Sequence, residues 1–291
     1  MNDKRFRNVP PHQLEAFRAF RATHPEKQLT VGNYKWSYIA SGSGEKTLVI
    51  LVGGSRLAEA AFRLISALER DYRVIVPTYP DATELPVLEE GIAAILDAEH
   101  ANPVYLMGAS FGGMVAQSFV RRYPERVEKL ILANTAGIFT PEYVKRLEGG
   151  LKKIDWIPLS LMHFAFRRRF ARMAPLFPPD ERAFWQAFLM TIVDGMTRDS
   201  LRSQFACMLD AHRSHFAAAD LAAWHGDILV IESDTDTAFP ELMRQSMHFL
   251  YPQAQFCNLP EAGHIAMITE WQAYFAEIES FLAQDQLEPV I

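Results

Sequence analysis

Five short runs of almost wholly apolar residues constrain this chain more than any other feature. Such runs fit parallel β-strands covered on both faces, because a strand with one solvent-facing side would alternate polar and apolar residues. They occupy residues 47–54, 72–80, 103–110, 127–137 and 227–234. Helical patterns lie between them, as at residues 58–69 and 88–98. The alternation predicts a single α/β domain with a doubly wound, mostly parallel sheet and right-handed crossovers.

The remaining segments depart from this alternation and suggest a division of the chain. Residues around Gly32 and Asn33 alternate in polarity, which favours two short antiparallel strands joined by a tight turn. A long stretch in the second half has helical patterns and no strand pattern, which favours an inserted helical cap. The predicted parts are an N-terminal helical extension (1–27), a core (28–138 and 224–283), the cap (139–223) and a loose polar tail (284–291).

The predicted cap is rich in Phe, Met, Trp and Arg, as in LMHFAFRRRFARM and FWQAFLMTIVDGM. Such residues favour ordinary helix packing, and the alternative is that some of them line an apolar substrate pocket. The candidates for that lining are Phe164, Phe166, Phe184, Trp185 and Met190.

A G-x-S-x-G motif at residues 108–112 lies directly between a predicted strand and a predicted helix. In this context the motif is typical of a sharp turn that lifts the serine above the sheet, and small neighbours let strand and helix approach closely. Ser110 is therefore the predicted nucleophile. The alternative is a glycine-rich turn with a passive serine.

A serine hydroxyl needs a general base within hydrogen-bond reach, and the base needs an acid to orient it. His264 is the predicted base, because it follows the last predicted strand (254–259) and precedes the final amphipathic helix. The acid is expected between nucleophile and base in the sequence, after the preceding strand. Three carboxylates occupy that position: Asp236, Asp234 and Glu232.

The oxyanion formed in acyl transfer requires two preorganised backbone N–H donors. The amide of Phe111, directly after the nucleophile, is the first predicted donor. The second is expected in the segment VGGS at residues 52–55, where Gly54 is preferred and Ser55 is the alternative. Since the chain has neither G-x-G-x-x-G nor G-K-[ST], we do not expect a nucleotide site at this loop.

Charge and hydropathy bear on partners and location. A net charge of −6 offers no basic face for nucleic acid. The basic cluster at residues 167–169 is interpreted as a solvated helix face, with a site for an acidic substrate group or an anionic surface as the alternative. No apolar leader or spanning run is recognised, so we expect a cytoplasmic protein without stable membrane insertion. The oligomeric state is left open.

Potential metal and redox groups are few. Cys207 and Cys257 match no metal or haem spacing and are expected to be free thiols. Asp210, His212 and His215 form the other polar cluster that resembles a ligand set, but an exposed helix face is the preferred interpretation. No metal and no cofactor is expected.

Together these motifs resemble the α/β-hydrolase superfamily from about residue 29 to residue 283. The matching segments are GASFGG, VGGS, SDTDTAFP and AGH. In that superfamily a proline that begins a helix commonly follows the acid after four residues, which implies Asp236, with Pro240, rather than Asp234. One departure is Val52-Gly53, where the superfamily often has His-Gly. A narrower resemblance is to the maspardin-like branch and its bacterial relatives.

The leading interpretation is a serine hydrolase that cleaves a carboxylic ester or related acyl compound with an apolar portion. Ser110 would attack the carbonyl, His264 would move the proton and Asp236 would orient the imidazole. A second interpretation uses the same three residues for C–C bond hydrolysis, acyl transfer or a lyase reaction. A third, which the maspardin-like resemblance permits, is a non-catalytic binding protein on a hydrolase scaffold.

Overall fold

The protein is represented by a computed structural model that describes residues 4–284. Its sheet has eight strands: β1 (Lys27–Val31), β2 (Tyr34–Ser41), β3 (Thr47–Leu51), β4 (Arg73–Thr78), β5 (Val104–Ala109), β6 (Val127–Ala133), β7 (Asp227–Glu232) and β8 (Gln255–Asn258). Their spatial order is β1-β2-β4-β3-β5-β6-β7-β8. Each of the five apolar runs forms one strand, from β3 to β7, and every run extends past the end of its strand into the following loop.

Strand direction follows the polarity pattern of the sequence. β1 and β2 pair antiparallel around Gly32 and Asn33, and β2 pairs antiparallel with β4. Gly32 has a φ of +55°, a conformation that suits glycine in a tight turn. All other neighbouring strands are parallel. The predicted doubly wound, mostly parallel sheet is confirmed.

Helices pack on the sheet and form most of the connections between its strands. They are α1 (Pro11–Thr23), α2 (Phe62–Leu68), α3 (Leu85–Ala98), α4 (Phe111–Arg122), α5 (Pro141–Lys153), α6 (Leu159–Met173), α7 (Arg182–Gly195), α8 (Arg198–Arg213), α9 (Glu241–Leu250), α10 (Ala266–Thr269) and α11 (Trp271–Ala283). Among the described residues, no helix has the length and apolar character needed to cross a membrane.

Four helices, α5 to α8, connect β6 to β7, and residues 139–223, all of them described, contain no strand. The division into core and cap stays a prediction, and one boundary needs adjustment: Lys27, assigned to the N-terminal extension, is the first residue of β1 because it pairs with Tyr38. Of the predicted tail, only Gln284 lies within the described residues.

The buried side chains of residues 4–284 form two clusters. The larger one surrounds the sheet and includes α4, almost all of whose residues are buried. The smaller one joins the N-terminal segment to α7, where the rings of Phe17 and Phe184 meet edge to face at 5.5 Å. Phe6 also packs against both rings. This aromatic cluster fixes α7 against α1, while α4, which directly follows the turn after β5, is fixed in the larger cluster.

Candidate active site

Ser110 lies at the sharp turn between β5 and α4, with a φ of 52° and a ψ of −120°. A non-glycine residue rarely adopts this conformation, so the surrounding structure must hold it in place. The Ser110 N–H donates to the carbonyl of Ala133 at 2.9 Å, and the Thr135 hydroxyl donates to the Ser110 carbonyl at 2.8 Å. A Cβ on Gly112 would lie 2.0 Å from the Leu51 carbonyl oxygen, so this turn requires glycine there.

His264 reaches the serine from the loop after β8. Its Nε2 lies 2.9 Å from the Ser110 Oγ. The loop backbone is left-handed at Gly263, whose φ is +67°. The Gly263 N–H donates to the Ser233 hydroxyl at 3.0 Å, and the Gly263 carbonyl accepts from the Asn134 side chain at 3.1 Å. Two neighbouring strand ends therefore hold the histidine loop over the serine.

Asp236 completes a chain of hydrogen bonds. Its Oδ2 lies 2.9 Å from His264 Nδ1, and its Oδ1 accepts from the Ala238 N–H at 2.7 Å. Burial acts to raise the pKa of this carboxyl, but the hydrogen bond and charge of His264 and the N–H groups of Ala238 and Phe239 outweigh it and hold the pKa below 3.8. An ionised Asp236 places the proton of the neutral ring on Nδ1, so Nε2 can accept the Ser110 hydroxyl proton.

The two alternative acids have other partners. Asp234 accepts a hydrogen bond from the Glu261 N–H at 3.2 Å, at the start of the histidine loop. Glu232 lies 3.0 Å from the Nε2 of His248 on α9. Pro240 precedes the first residue of α9, as the resemblance implies. Of the three carboxylates, Asp236 is the one that contacts His264.

The predicted oxyanion donors lie at the same cavity as the serine. Phe111 is the first residue of α4, so its N–H has no acceptor within the helix. Gly53 lies close to the serine, since a Cβ there would be 3.2 Å from the Ser110 Cβ. Gly54 and Ser55 line the cavity as well. The assignment of the second donor to Gly54 stays a prediction.

The cavity above Ser110 has a volume of about 590 Å³ and is lined mainly by apolar side chains. Among the five cap residues proposed for an apolar pocket, Phe166 and Trp185 line it. Phe164 is instead 57 % exposed, and Phe184 packs in the aromatic cluster with α1. Met190 is not among the described residues that line the cavity.

Sequence reasoning missed Arg56, which ties the loop after β3 to α8. Its φ is +63° and it is only 5 % exposed. The guanidinium donates to the Ser203 hydroxyl at 2.7 Å and to the Ser200 carbonyl at 3.1 Å, and it also contacts the carbonyl of Pro80. A buried arginine requires such acceptors. The only signal in the sequence is a charged residue directly after VGGS.

The remaining candidate residues make contacts that support the fold. Asp210 accepts from the Leu85 N–H at 3.1 Å, and the His212 ring stacks on Phe139. Cys207 and Cys257 are unpaired, as expected. Within residues 4–284, no group of three or more His, Cys, Asp or Glu side chains is arranged to hold a metal ion.

Known proteins resemble this chain both in sequence and in fold. The model of the Alpha/beta hydrolase family matches residues 49–278. Poly(3-hydroxyalkanoate) depolymerase of Ectopseudomonas oleovorans is 26 % identical over 260 residues, which cover 84 % of this chain and 87 % of the relative. Maspardin of Danio rerio is 26 % identical over 255 residues (84 % and 78 %). 2-Hydroxymuconate semialdehyde hydrolase of Pseudomonas putida is 26 % identical over 202 residues (67 % and 68 %).

Among solved structures, a hydrolase from Pseudomonas aeruginosa PA01 superposes with a TM-score of 0.73 at 22 % identity, covering 89 % of this chain and 98 % of that one. The match to maspardin is that of a distant homologue, so the narrower resemblance adds nothing beyond the superfamily. The family match covers most of the chain and includes Ser110, Asp236 and His264. The chain therefore belongs to the alpha/beta hydrolase family and is an enzyme of that family.

Proposed function

We propose that this enzyme is a serine hydrolase that cleaves a carboxylic ester or related acyl compound. The observation that carries the proposal is the continuous chain of hydrogen bonds from Ser110 Oγ through His264 to Asp236, with both distances at 2.9 Å. This order of nucleophile, base and acid is the one that serine hydrolases use on several unrelated folds.

In the proposed reaction, His264 Nε2 takes the hydroxyl proton as Ser110 Oγ attacks the carbonyl carbon. Asp236, ionised and buried, stabilises the imidazolium that forms. The imidazolium then gives its proton to the leaving alcohol, and an acyl-enzyme remains on Ser110. Water, deprotonated by His264, attacks the acyl carbonyl. The bond to Ser110 Oγ then breaks, His264 returns the proton to Ser110, and the acid is released.

The negative charge on the tetrahedral oxygen would be stabilised by the N–H of Phe111 and, in our assignment, by that of Gly54. The Phe111 N–H is at the start of α4, where the helix dipole adds partial positive charge. Removal of one donor of this kind typically costs about 100- to 1,000-fold in kcat. The loop at residues 52–56 is held against α8 by Arg56, which supports a preorganised position for the second donor.

The cavity supports a substrate with an apolar portion. Trp185, Phe188 and Ile192 line it from α7, and Phe205 and Met208 line it from α8. The named activity of one relative, a poly(3-hydroxyalkanoate) depolymerase, is consistent with an ester that has aliphatic substituents.

The direct test combines a fluorophosphonate probe with p-nitrophenyl esters of increasing chain length, applied to the wild type and to Ser110→Ala. We expect labelling and turnover in the wild type and neither in the variant. Ser118 lies on α4, directly after the turn at Ser110, but it is buried and cannot react with the probe. Tandem mass spectrometry should therefore place the label on Ser110 alone. A wild type that neither reacts nor turns over any ester would contradict the proposal.

A second candidate is hydrolysis of a C–C bond with the same three residues. The observation in its favour is the relative named 2-hydroxymuconate semialdehyde hydrolase, whose match covers 67 % of this chain. Incubation with a vinylogous diketone in labelled water distinguishes the two, because C–C hydrolysis places the label in a carboxylic acid and releases no alcohol.

A further inference from the structure

Two arginines stand out in the lining of the cavity. Arg146 on α5 and Arg169 on α6 both contribute to it, and no Asp or Glu of the described residues does. The chain as a whole is acidic, with a net charge of −6. The charge of the cavity lining is therefore opposite in sign to the net charge of the protein.

Helical spacing explains why these two side chains belong to the cavity wall. On α6 the lining residues are Phe166, Arg169, Phe170 and Met173, which recur at intervals of three and four. On α5 the lining residues Tyr143, Arg146, Leu147 and Gly150 have the same spacing. Residues with this spacing share one face of a helix. Each arginine thus occupies a position on the cavity face at which its neighbours are mostly apolar.

Neither guanidinium has a carboxylate to neutralise it. Arg167, two residues before Arg169, pairs with Asp194 at 2.5 Å, but within residues 4–284 no ion pair forms at Arg146 or Arg169. Tyr143 lies beside Arg146, with the guanidinium carbon 4.4 Å from its ring centroid, and the charge of Arg169 also acts on its phenol. Burial and, to a smaller degree, the Asp236 carboxylate raise the pKa of Tyr143, so this phenol is neutral and does not offset the charge of either arginine.

Both arginines are exposed. A series of neighbouring aromatic rings connects Arg146 to His264. The Tyr143 and Phe239 ring centroids are 6.0 Å apart, and those of Phe239 and His264 are 5.3 Å apart. The cavity therefore has a cationic entrance, an apolar interior and Ser110 at its inner end. A substrate that complements all three parts has an anionic group, an aliphatic segment and an acyl group, in that order.

We infer that the natural substrate is an acyl compound whose far end carries an anionic group held by Arg146 and Arg169. This inference rests on the proposed function, since it assigns the acyl group to Ser110. It does not depend on the leaving group, because the arginines contact the opposite end of the substrate.

The kinetic test compares p-nitrophenyl half-esters of dicarboxylic acids, from succinic to dodecanedioic, with p-nitrophenyl esters of the monocarboxylic acids of equal length. At the optimal length we expect kcat/KM to be about 3- to 10-fold higher for the half-ester, a modest factor because both arginines are solvent-exposed. Added salt should reduce this preference. The double variant Arg146→Gln/Arg169→Gln should lose it, whereas Arg168→Gln/Arg172→Gln, which removes the same two charges at exposed positions outside the cavity lining, should keep it.

A binding measurement separates failure of this inference from failure of the proposed function. Titration calorimetry of Ser110→Ala with decanoate and with decyltrimethylammonium needs no turnover. We expect decanoate to bind more tightly, and the two arginine substitutions to abolish the difference. Turnover of neutral esters without any preference for half-esters would overturn the inference and leave the proposed function standing. In an inactive protein, equal binding of the two amphiphiles would overturn it.

Discussion

The side-chain amide of Asn134 donates a hydrogen bond to the carbonyl oxygen of Gly263 at 3.1 Å. Asn134 directly follows β6 and has a φ of 45°, while Gly263 directly precedes His264. The contact therefore connects the strand beside the nucleophile to the loop that carries the proposed base. It positions His264 without touching the reacting atoms.

Replacement of Asn134 should impair proton transfer by His264 and leave substrate binding nearly unchanged. We expect Asn134→Gly, which tolerates the positive φ but lacks the donor, to lower kcat by about 10-fold, the equivalent of one hydrogen bond, with little change in KM. Ester hydrolysis under saturating conditions measures this. A variant whose KM rises while kcat is unchanged would show that Asn134 acts on substrate binding instead.

The choice between the two aspartates of the loop after β7 can be tested by matched substitutions. Asp236→Asn should lower kcat by about 10,000-fold, because the amide would favour the wrong tautomer of His264. Asp234→Asn retains an oxygen acceptor for the Glu261 N–H and should stay within about 10-fold of the wild type. Equal losses in the two variants would contradict the assignment of Asp236 as the acid.

The turn at the nucleophile leaves no space for a side chain at Gly112. A Cβ there would lie 2.0 Å from the Leu51 carbonyl oxygen and 2.5 Å from the Leu51 carbonyl carbon, which are backbone atoms of a central strand. Gly112→Ala should lower the free energy of unfolding by about 3 kcal/mol. Gly149→Ala, on α5 with nothing within 4 Å of its Cβ, should raise it by about 0.5–1 kcal/mol. Urea denaturation compares the two.

The buried guanidinium of Arg56 should contribute to stability in a way that a surface arginine does not. Arg56→Met would remove three hydrogen bonds of a buried guanidinium, to the Ser203 hydroxyl and to the carbonyls of Ser200 and Pro80, so we expect a loss of about 2–4 kcal/mol. Arg70→Met is the control, because Arg70 is 83 % exposed and pairs with the adjacent Asp71. Thermal unfolding at neutral pH should separate the variants clearly. Equal melting temperatures would mean that water replaces Arg56.

Stability should fall in alkaline solution because of Cys207. Burial raises the pKa of its thiol from 9.0 to about 12, so the folded state keeps a proton that the unfolded state loses. Above pH 9 the unfolded chain therefore binds fewer protons, and stability decreases with rising pH until about pH 12. The slope for this group is at most about 1.4 kcal/mol per pH unit. Unfolding curves of the wild type and Cys207→Ala should converge as pH rises, and parallel curves would contradict the prediction.

Local patterns in the sequence were sufficient for the sheet and for two of the three proposed catalytic residues. Strands β3 to β7 are continuous apolar runs, so their identity depends only on neighbouring residues. Ser110 and His264 follow from their positions after strands. Asp236 required the resemblance, because Asp234 has the same chemistry and lies two residues away.

Sequence patterns could not predict the contacts between segments that are distant along the chain. Phe184 and Trp185 are adjacent and both apolar, yet Phe184 packs against Phe17 while Trp185 lines the cavity. Periodicity defines the faces of α7 but not which neighbour each face meets. Arg56 illustrates the same limit, since its partner Ser203 is 147 residues away along the chain.

The unequal burial of α6 and α7 bears on how the specificity of this enzyme can evolve. No residue of α6, all of which is described, is buried, whereas α7 has seven buried residues that belong largely to the aromatic cluster with α1. Both helices line the cavity. Half-buried and exposed positions accept substitutions at lower cost than positions in a core, where large-to-small changes cost about 2–5 kcal/mol. Mutations that reshape the substrate range will therefore accumulate on α6, and α7 will be conserved as the fixed wall of the pocket.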